Sequence, residues 1–154
     1  MKKFLSLDLE LNNGPANETP RPKIIQVGIC IADLNEPASD WVVKKWYIDP
    51  NETIFQFITE LTGITDQDIV DHAVSHEQMA DELSALIIEH DTFMNPVVWG
   101  GGDSSELLEE IRDRGIYFPH FGRRWIDVKT IHTFLSIAKG KNPSGGLSSV
   151  MGQN

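Results

Sequence analysis

Phe4-Leu5-Ser6-Leu7-Asp8-Leu9-Glu10-Leu11 decides how this chain is read. In a β-strand, side chains alternate between faces with period two. Leu5, Leu7, Leu9 and Leu11 then line one face, and Ser6, Asp8 and Glu10 line the other. The two carboxylates stand about 7 Å apart on one side of an apolar strand, twice the rise per residue. Charged groups on such a strand are expected to be solvated, paired or bound to a cation. The pattern therefore leaves two readings open: a solvated face of a two-sided strand, or half of a metal site.

Composition narrows the class. The chain has 154 residues, enough for one domain with a normal core. Apolar residues make up 40% and charged residues 23%, a globular rather than a disordered balance. No apolar run approaches the roughly 20 residues of a membrane span, so no membrane partner is expected. The start, Met1-Lys2-Lys3-Phe4, is basic, but Asp8 and Glu10 interrupt the apolar run after it, unlike a signal peptide. Cys30 is the only cysteine and lies in an apolar run, which predicts a buried thiol in a reducing, cytoplasmic setting. Thirteen Lys and Arg against 23 Asp and Glu give a net charge of −10. That argues against strong non-specific binding to a polyanion, though acidic metal ligands can recruit cations where a phosphate docks.

Outward from the first strand, residues 11–22 are rich in Asn, Gly and Pro and read as a loop. Residues 24–32 and 41–48 read as second and third strands, joined by a turn at 35–37, and predict an antiparallel meander. Residues 52–72 predict short helical pieces around Gly63. Ser75 and Gln78 have capping-box spacing and start a helix to about His90, with Met79, Leu83, Leu86 and Ile87 inward. Residues 96–100 predict a short buried strand. Asp103 to Arg114 predicts a helix with Leu107, Leu108 and Ile111 inward, ended by Gly115. Trp125-Ile126 leads into a helix from about Asp127 to Ala138, and 147–151 looks like the first turn of another. The order is α/β.

This arrangement resembles the DnaQ-like 3′–5′ exonucleases of the DEDD superfamily, most closely the branch with a histidine base. The matching residues are Ser6-Leu7-Asp8-Leu9-Glu10 and then Asp103. Lys23 to Gly28, Thr62-Gly63-Ile64-Thr65 with Asp66 to Ile69, and Trp125-Ile126-Asp127 support them in order. The resemblance implies a ribonuclease-H-like fold: a central mixed sheet with an antiparallel three-strand meander and helices on both sides. It implies hydrolysis of phosphodiester bonds at the 3′ end of single-stranded DNA or RNA by a two-metal mechanism with Mg²⁺ or Mn²⁺. Asp8, Glu10 and Asp103 would be the catalytic and metal-binding residues. Main-chain groups from Leu9 to Leu11 would meet the substrate's 3′ end, with the Leu9 and Leu11 side chains in the core. Asp103 also stands where an N-cap belongs, with Glu106 three residues on. Asp127 reads as the cap of its helix. Gly100, Gly101 and Gly102 form a tight turn, not a phosphate loop, because no Gly-Lys-Ser/Thr comes after them.

The resemblance also implies a third motif, a His five residues before an Asp on a final helix. The sequence given stops at Asn154 before such a helix. His76 and Asp81 have that spacing but precede Asp103, and read as surface residues of the helix that starts at Ser75. His72, His90, His120 and His132 have no such Asp partner. The expectation is a single domain, 1–154, without its final helix, with impaired activity and an open apolar face suited to a homodimer. The alternatives are an inactive nucleic-acid-binding or protein-interaction module on the same fold, and a plain α/β domain. Arg21 and Lys23, and the later group Arg123, Arg124, Lys129, Lys139 and Lys141, are candidates for phosphate contacts.

Overall fold

The computed structural model describes residues 2–14, 21–143 and 145–152. One six-stranded sheet organises them, in the order β4-β3-β2-β1-β5-β6. The central strand β1 (Phe4–Asn12) pairs antiparallel with β2 (Lys23–Ala32), and β2 pairs antiparallel with β3 (Val42–Ile48). This is the expected meander. Three two-residue strands extend it in parallel: β4 (Ala73–Val74) beside β3, β5 (Val97–Val98) beside β1, and β6 (Ile126–Asp127) beside β5. The fold class is α/β with a mixed sheet, as expected; β4 and β6 are too short for a periodic signal.

Strand alternation divides the molecule. Leu5, Leu7 and Leu9 of β1, Val27, Ile29 and Ile31 of β2, and Trp46 and Ile48 of β3 share one face. Helices α3 (His76–Glu89) and α4 (Asp103–Asp113) close it with Met79, Leu83, Ile87, Leu107 and Ile111. Leu86 packs at the edge of this core. The α3 start is as expected, since Ser75 Oγ accepts from the Gln78 N–H at 3.1 Å, but Gln78 donates its own amide to Glu82. A reciprocal capping box instead joins Thr65 and Asp68 at the start of α2 (Asp66–His72).

One register break shapes the sheet beside the acidic pair. Glu10 pairs with Gln26, but Leu11 pairs with Ile24, so Ile25 is left over. An extra residue reverses the in-out alternation. Ile24 therefore joins the main core, while Ile25 joins Ile54, Ile58, Ile64 and Ile69, a second cluster built by α1 (Gln56–Thr62) and α2. Asn12, at the end of β1, is fully buried. Its side chain accepts from the Phe55 N–H at 3.0 Å and donates to Glu52 Oε1 at 2.9 Å and the Thr53 carbonyl at 3.2 Å.

The other face of the sheet is open at its centre. Helix α5 (Val128–Ala138) follows β6 directly and has no buried residue, and neither has α6 (Leu147–Met151). An apolar helix normally buries at least one stripe. Here Ile131, Phe134, Leu135 and Ile137 are about half to three-quarters exposed. No helix among the described residues is long and apolar enough to cross a membrane.

Stability should therefore be concentrated on the α3–α4 side. Leu83→Ala is expected to lower unfolding free energy by about 2–5 kcal/mol in urea titrations, the usual cost of a core cavity. Phe134→Ala, at a side chain 70% exposed, should stay within about 0.5 kcal/mol.

Candidate active site

Asp8 and Glu10 stand on the open face of β1, as alternation requires, with Leu7 and Leu9 turned into the core. Gly28 lies opposite Asp8 on β2 and adds no side chain, which leaves the floor beside Asp8 clear. Asp103 comes from the other direction, at the first turn of α4. It does not cap that helix. Gly102 holds the cap position with φ +138°, a conformation that favours glycine, and Asp103 is the first helical residue. Its carboxyl is approached by its own main-chain N–H and by that of Leu9 on β1.

The three carboxyls affect one another. Asp8 holds its proton above the ordinary value near 3.8, because the sheet strips away part of its water. Glu10 is pushed up by burial, then by the charges of Asp8 and Asp103. Asp103 is pushed up by burial and by Asp8, with the N–H groups of Leu9 and of Asp103 itself pulling the other way. No histidine, lysine or arginine is among the groups that shift them. Desolvated like charges without a counter-charge are the donor set a hard divalent cation fits. Among the described residues, no three His, Cys, Asp or Glu side chains are close enough as they stand to hold one ion.

Beside Asp8 the open face forms a cleft of about 690 Å³. Ser6, Gly28, Cys30, Val43, Trp99 and Leu147 are among its walls. Among the described residues, the buried Trp99 indole N–H has no acceptor. Cys30 is half-buried on this face rather than fully in the core, because Leu7 and Ile29 take the inward positions; burial raises its thiol pKa.

The remaining candidates divide. Asp127 caps α5, accepting from the Lys129 and Thr130 N–H groups, and also accepts from the Gly100 N–H at 2.9 Å, which ties the glycine turn to the α5 start. Leu9 is buried and Leu11 packs against the core. His76 is not a surface residue. It is 5% exposed and its Nε2 meets Glu110 Oε1 at 2.7 Å, because the first turn of α3 faces α4. Asp81 is exposed on α3. Arg21 is engaged by Glu106, Glu109 and Asp113 of α4, and Lys23 by Glu52. Arg123, Arg124, Lys129, Lys139 and Lys141 are exposed, with no ion pair among the described residues.

No protein-family model and no curated protein matches this sequence. Solved structures do. The chain is similar to a full-length 3′-exonuclease (18% identity, TM-score 0.72, covering 94% of this chain and 54% of that one). It is similar to cell-death related nuclease 4, CRN-4 (19%, TM-score 0.74, 95% and 51%). It is also similar to the nuclease domain of 3′hExo, a DEDDh family member, bound to rAMP (18%, TM-score 0.70, 94% and 82%). The chain spans about half the length of the first two. It has the ribonuclease-H-like fold of the DnaQ-like exonucleases.

The raised carboxyls have a consequence for stability. Each binds its proton more readily in the folded protein than in the unfolded chain, so the folded state is least penalised below the ordinary carboxyl values and loses stability as pH rises through the higher folded ones. Asp8→Asn is therefore expected to raise the melting temperature in chelator at pH 7.5. The gain should vanish near pH 3.5, where the wild-type group is also neutral. Thermal scans at the two pH values check this.

Proposed function

We propose that this chain is a metal-dependent 3′–5′ exonuclease domain acting on the 3′ ends of single-stranded DNA or RNA. The observation that carries the reading is that Asp8 and Glu10 of β1 and Asp103 of α4 lie near enough for their charges to act on one another, each with raised proton affinity and no cationic neighbour among the groups that shift it. The fold supports it, since the similar structures include a full-length 3′-exonuclease and one described as 3′-end specific recognition of histone mRNA stem-loop by 3′-exonuclease. Asp8, Glu10 and Asp103 hold Mg²⁺ or Mn²⁺, two ions in the complete site. When bound, such ions lower the pKa of an attacking water and stabilise charge on the leaving oxygen. The strand fixes Asp8 and Glu10 at a set spacing, and the N-terminal turn of α4 carries Asp103 near them. Main-chain groups of Leu9 to Leu11 meet the 3′-terminal nucleotide, and Arg123, Arg124 and Lys129 contribute phosphate contacts. The single half-buried thiol fits a reducing cytoplasm.

Within these 154 residues no general base is assigned, because no histidine is among the groups that perturb the three acids. Loss of such a base costs about 10²–10⁴-fold in rate. We therefore read residues 1–154 as one exonuclease-like domain whose activity is impaired. A second copy laid against α5 makes the proposed homodimer. The same lack of a base favours, as a second reading, an inactive module that binds nucleic acid.

Calorimetry with Mn²⁺ tests the site: binding is expected, and Asp8→Ala or Glu10→Ala should abolish it. Absence of binding to the wild type would overturn the metal reading. Gel assays should show trimming of a 3′-labelled strand that is slow and lost in the same variants; brisk trimming would overturn the impairment. Nucleic-acid binding without cleavage, even with a His-x4-Asp helix supplied, would favour the second reading. Sedimentation velocity should show a concentration-dependent dimer that Phe134→Glu with Ile137→Glu converts to monomer.

A further inference from the structure

Glu110 has no part in the reaction described above, yet it is one of the most tightly held acids in the protein. Its side chain is 14% exposed and that of His76 is 6% exposed. Oε1 meets His76 Nε2 at 2.7 Å and lies 3.5 Å from an Arg114 nitrogen. Oε2 accepts the Ile24 N–H at 3.3 Å. A carboxylate only accepts, so His76 Nε2 carries the hydrogen of that bond. Burial pushes the Glu110 proton affinity up, but His76, Ile24 and Arg114 outweigh it, and the group sits below its ordinary value as a carboxylate.

The place of these contacts matters. Ile24 pairs with Leu11, at the register break just after Glu10. Asp103 lies seven residues before Glu110 on α4, two turns back and within about 20° of the same face, at a helical rise of about 10 Å. One carboxylate thus ties α4 to the sheet beside Glu10 and to the first turn of α3. Helix α4 cannot roll or slide without breaking a buried, charge-assisted contact.

We propose that Glu110, held by His76, is a positioning residue: it sets the rotation of α4 that turns Asp103 toward Asp8 and Glu10. The proposal rests on the three-carboxylate reading of the site for its relevance to metal. A side chain that acts on a ligand through another group typically costs 10–100-fold in metal affinity when removed.

The test is a double-mutant cycle of Glu110→Gln with Asp103→Asn, with His76→Gln as a second route to the same contact. Mn²⁺ affinity by calorimetry should fall tenfold or more in Glu110→Gln and in His76→Gln. With Asp103→Asn already present, Glu110→Gln should change it less than twofold further. The cycle has a metal-free arm in chelator at pH 7.5. Asp103→Asn should raise the melting temperature of the wild type by relieving repulsion, and should raise that of Glu110→Gln far less. Equal gains in both backgrounds, or a Glu110→Gln protein that melts earlier but binds Mn²⁺ within twofold of wild type, would overturn the positioning role. If the wild type binds no Mn²⁺ while the metal-free arm shows coupling, the metal reading falls and the positioning role stands.

Discussion

Everything in this structure is arranged around a strand that must serve two faces at once. Leu5, Leu7 and Leu9 of β1 are the centre of the main core, and the two-residue alternation that puts them there also fixes Asp8 and Glu10 on the opposite side. The acidic pair cannot retreat into solvent by a local rotation, because turning β1 would expose three leucines. Burying those three stabilises the fold by several kcal/mol, at the usual free energy per unit of apolar area. Hydrophobic packing on one face therefore holds like charges close together on the other.

That constraint explains the polar contacts around the site. The ladder breaks after Glu10, which frees the Ile24 N–H for Glu110 and sends Ile24 and Ile25 to different cores. Asn12 then satisfies the backbone where β1 ends, bridging to residues 52–55. At the far end of the site, Gly102 takes the cap position, so Asp103 enters α4 as its first helical residue. Asp127 joins the glycine turn to α5 through the Gly100 N–H. Each device fixes backbone around the carboxylates without adding positive charge to them.

What is legible in the sequence depends on the range of the interactions. The meander, the inward stripes of α3 and α4, the stop at Gly115 and the cap at Asp127 depend on neighbours within a few residues, and local patterns report them. The convergence of Asp103 on β1 is legible only through the order of motifs, not through spacing. His76 defeats a local reading because a histidine in the first turn of an amphipathic helix looks solvated, and its partner is 34 residues away. Asn12 looks like a turn residue because the groups it satisfies lie 40 to 43 residues on. The half-buried Cys30 escapes for a subtler reason: β2 is apolar on both faces at that point, so alternation does not say which face is covered.

The two faces of the sheet hold the site unequally. Helix α3 and helix α4 meet the sheet with interlocking apolar residues, whereas α5 follows the same sheet with none buried. The acids sit at the border between those two regimes, held from one side by packed helices and bordered on the other by a cleft with an unpartnered indole donor. Their geometry is therefore set asymmetrically. Asp8 and Glu10 are fixed by the sheet itself, but Asp103 is only as well placed as α4 is, and α4 takes its position from Leu107, Ile111 and the Glu110 contact on the packed side. Covering the open face would add water exclusion above the carboxylates, which strengthens their mutual repulsion and, equally, their attraction for a cation. Closure of this face and filling of the charge deficit are thus coupled through the same three side chains, and neither can change without altering the other.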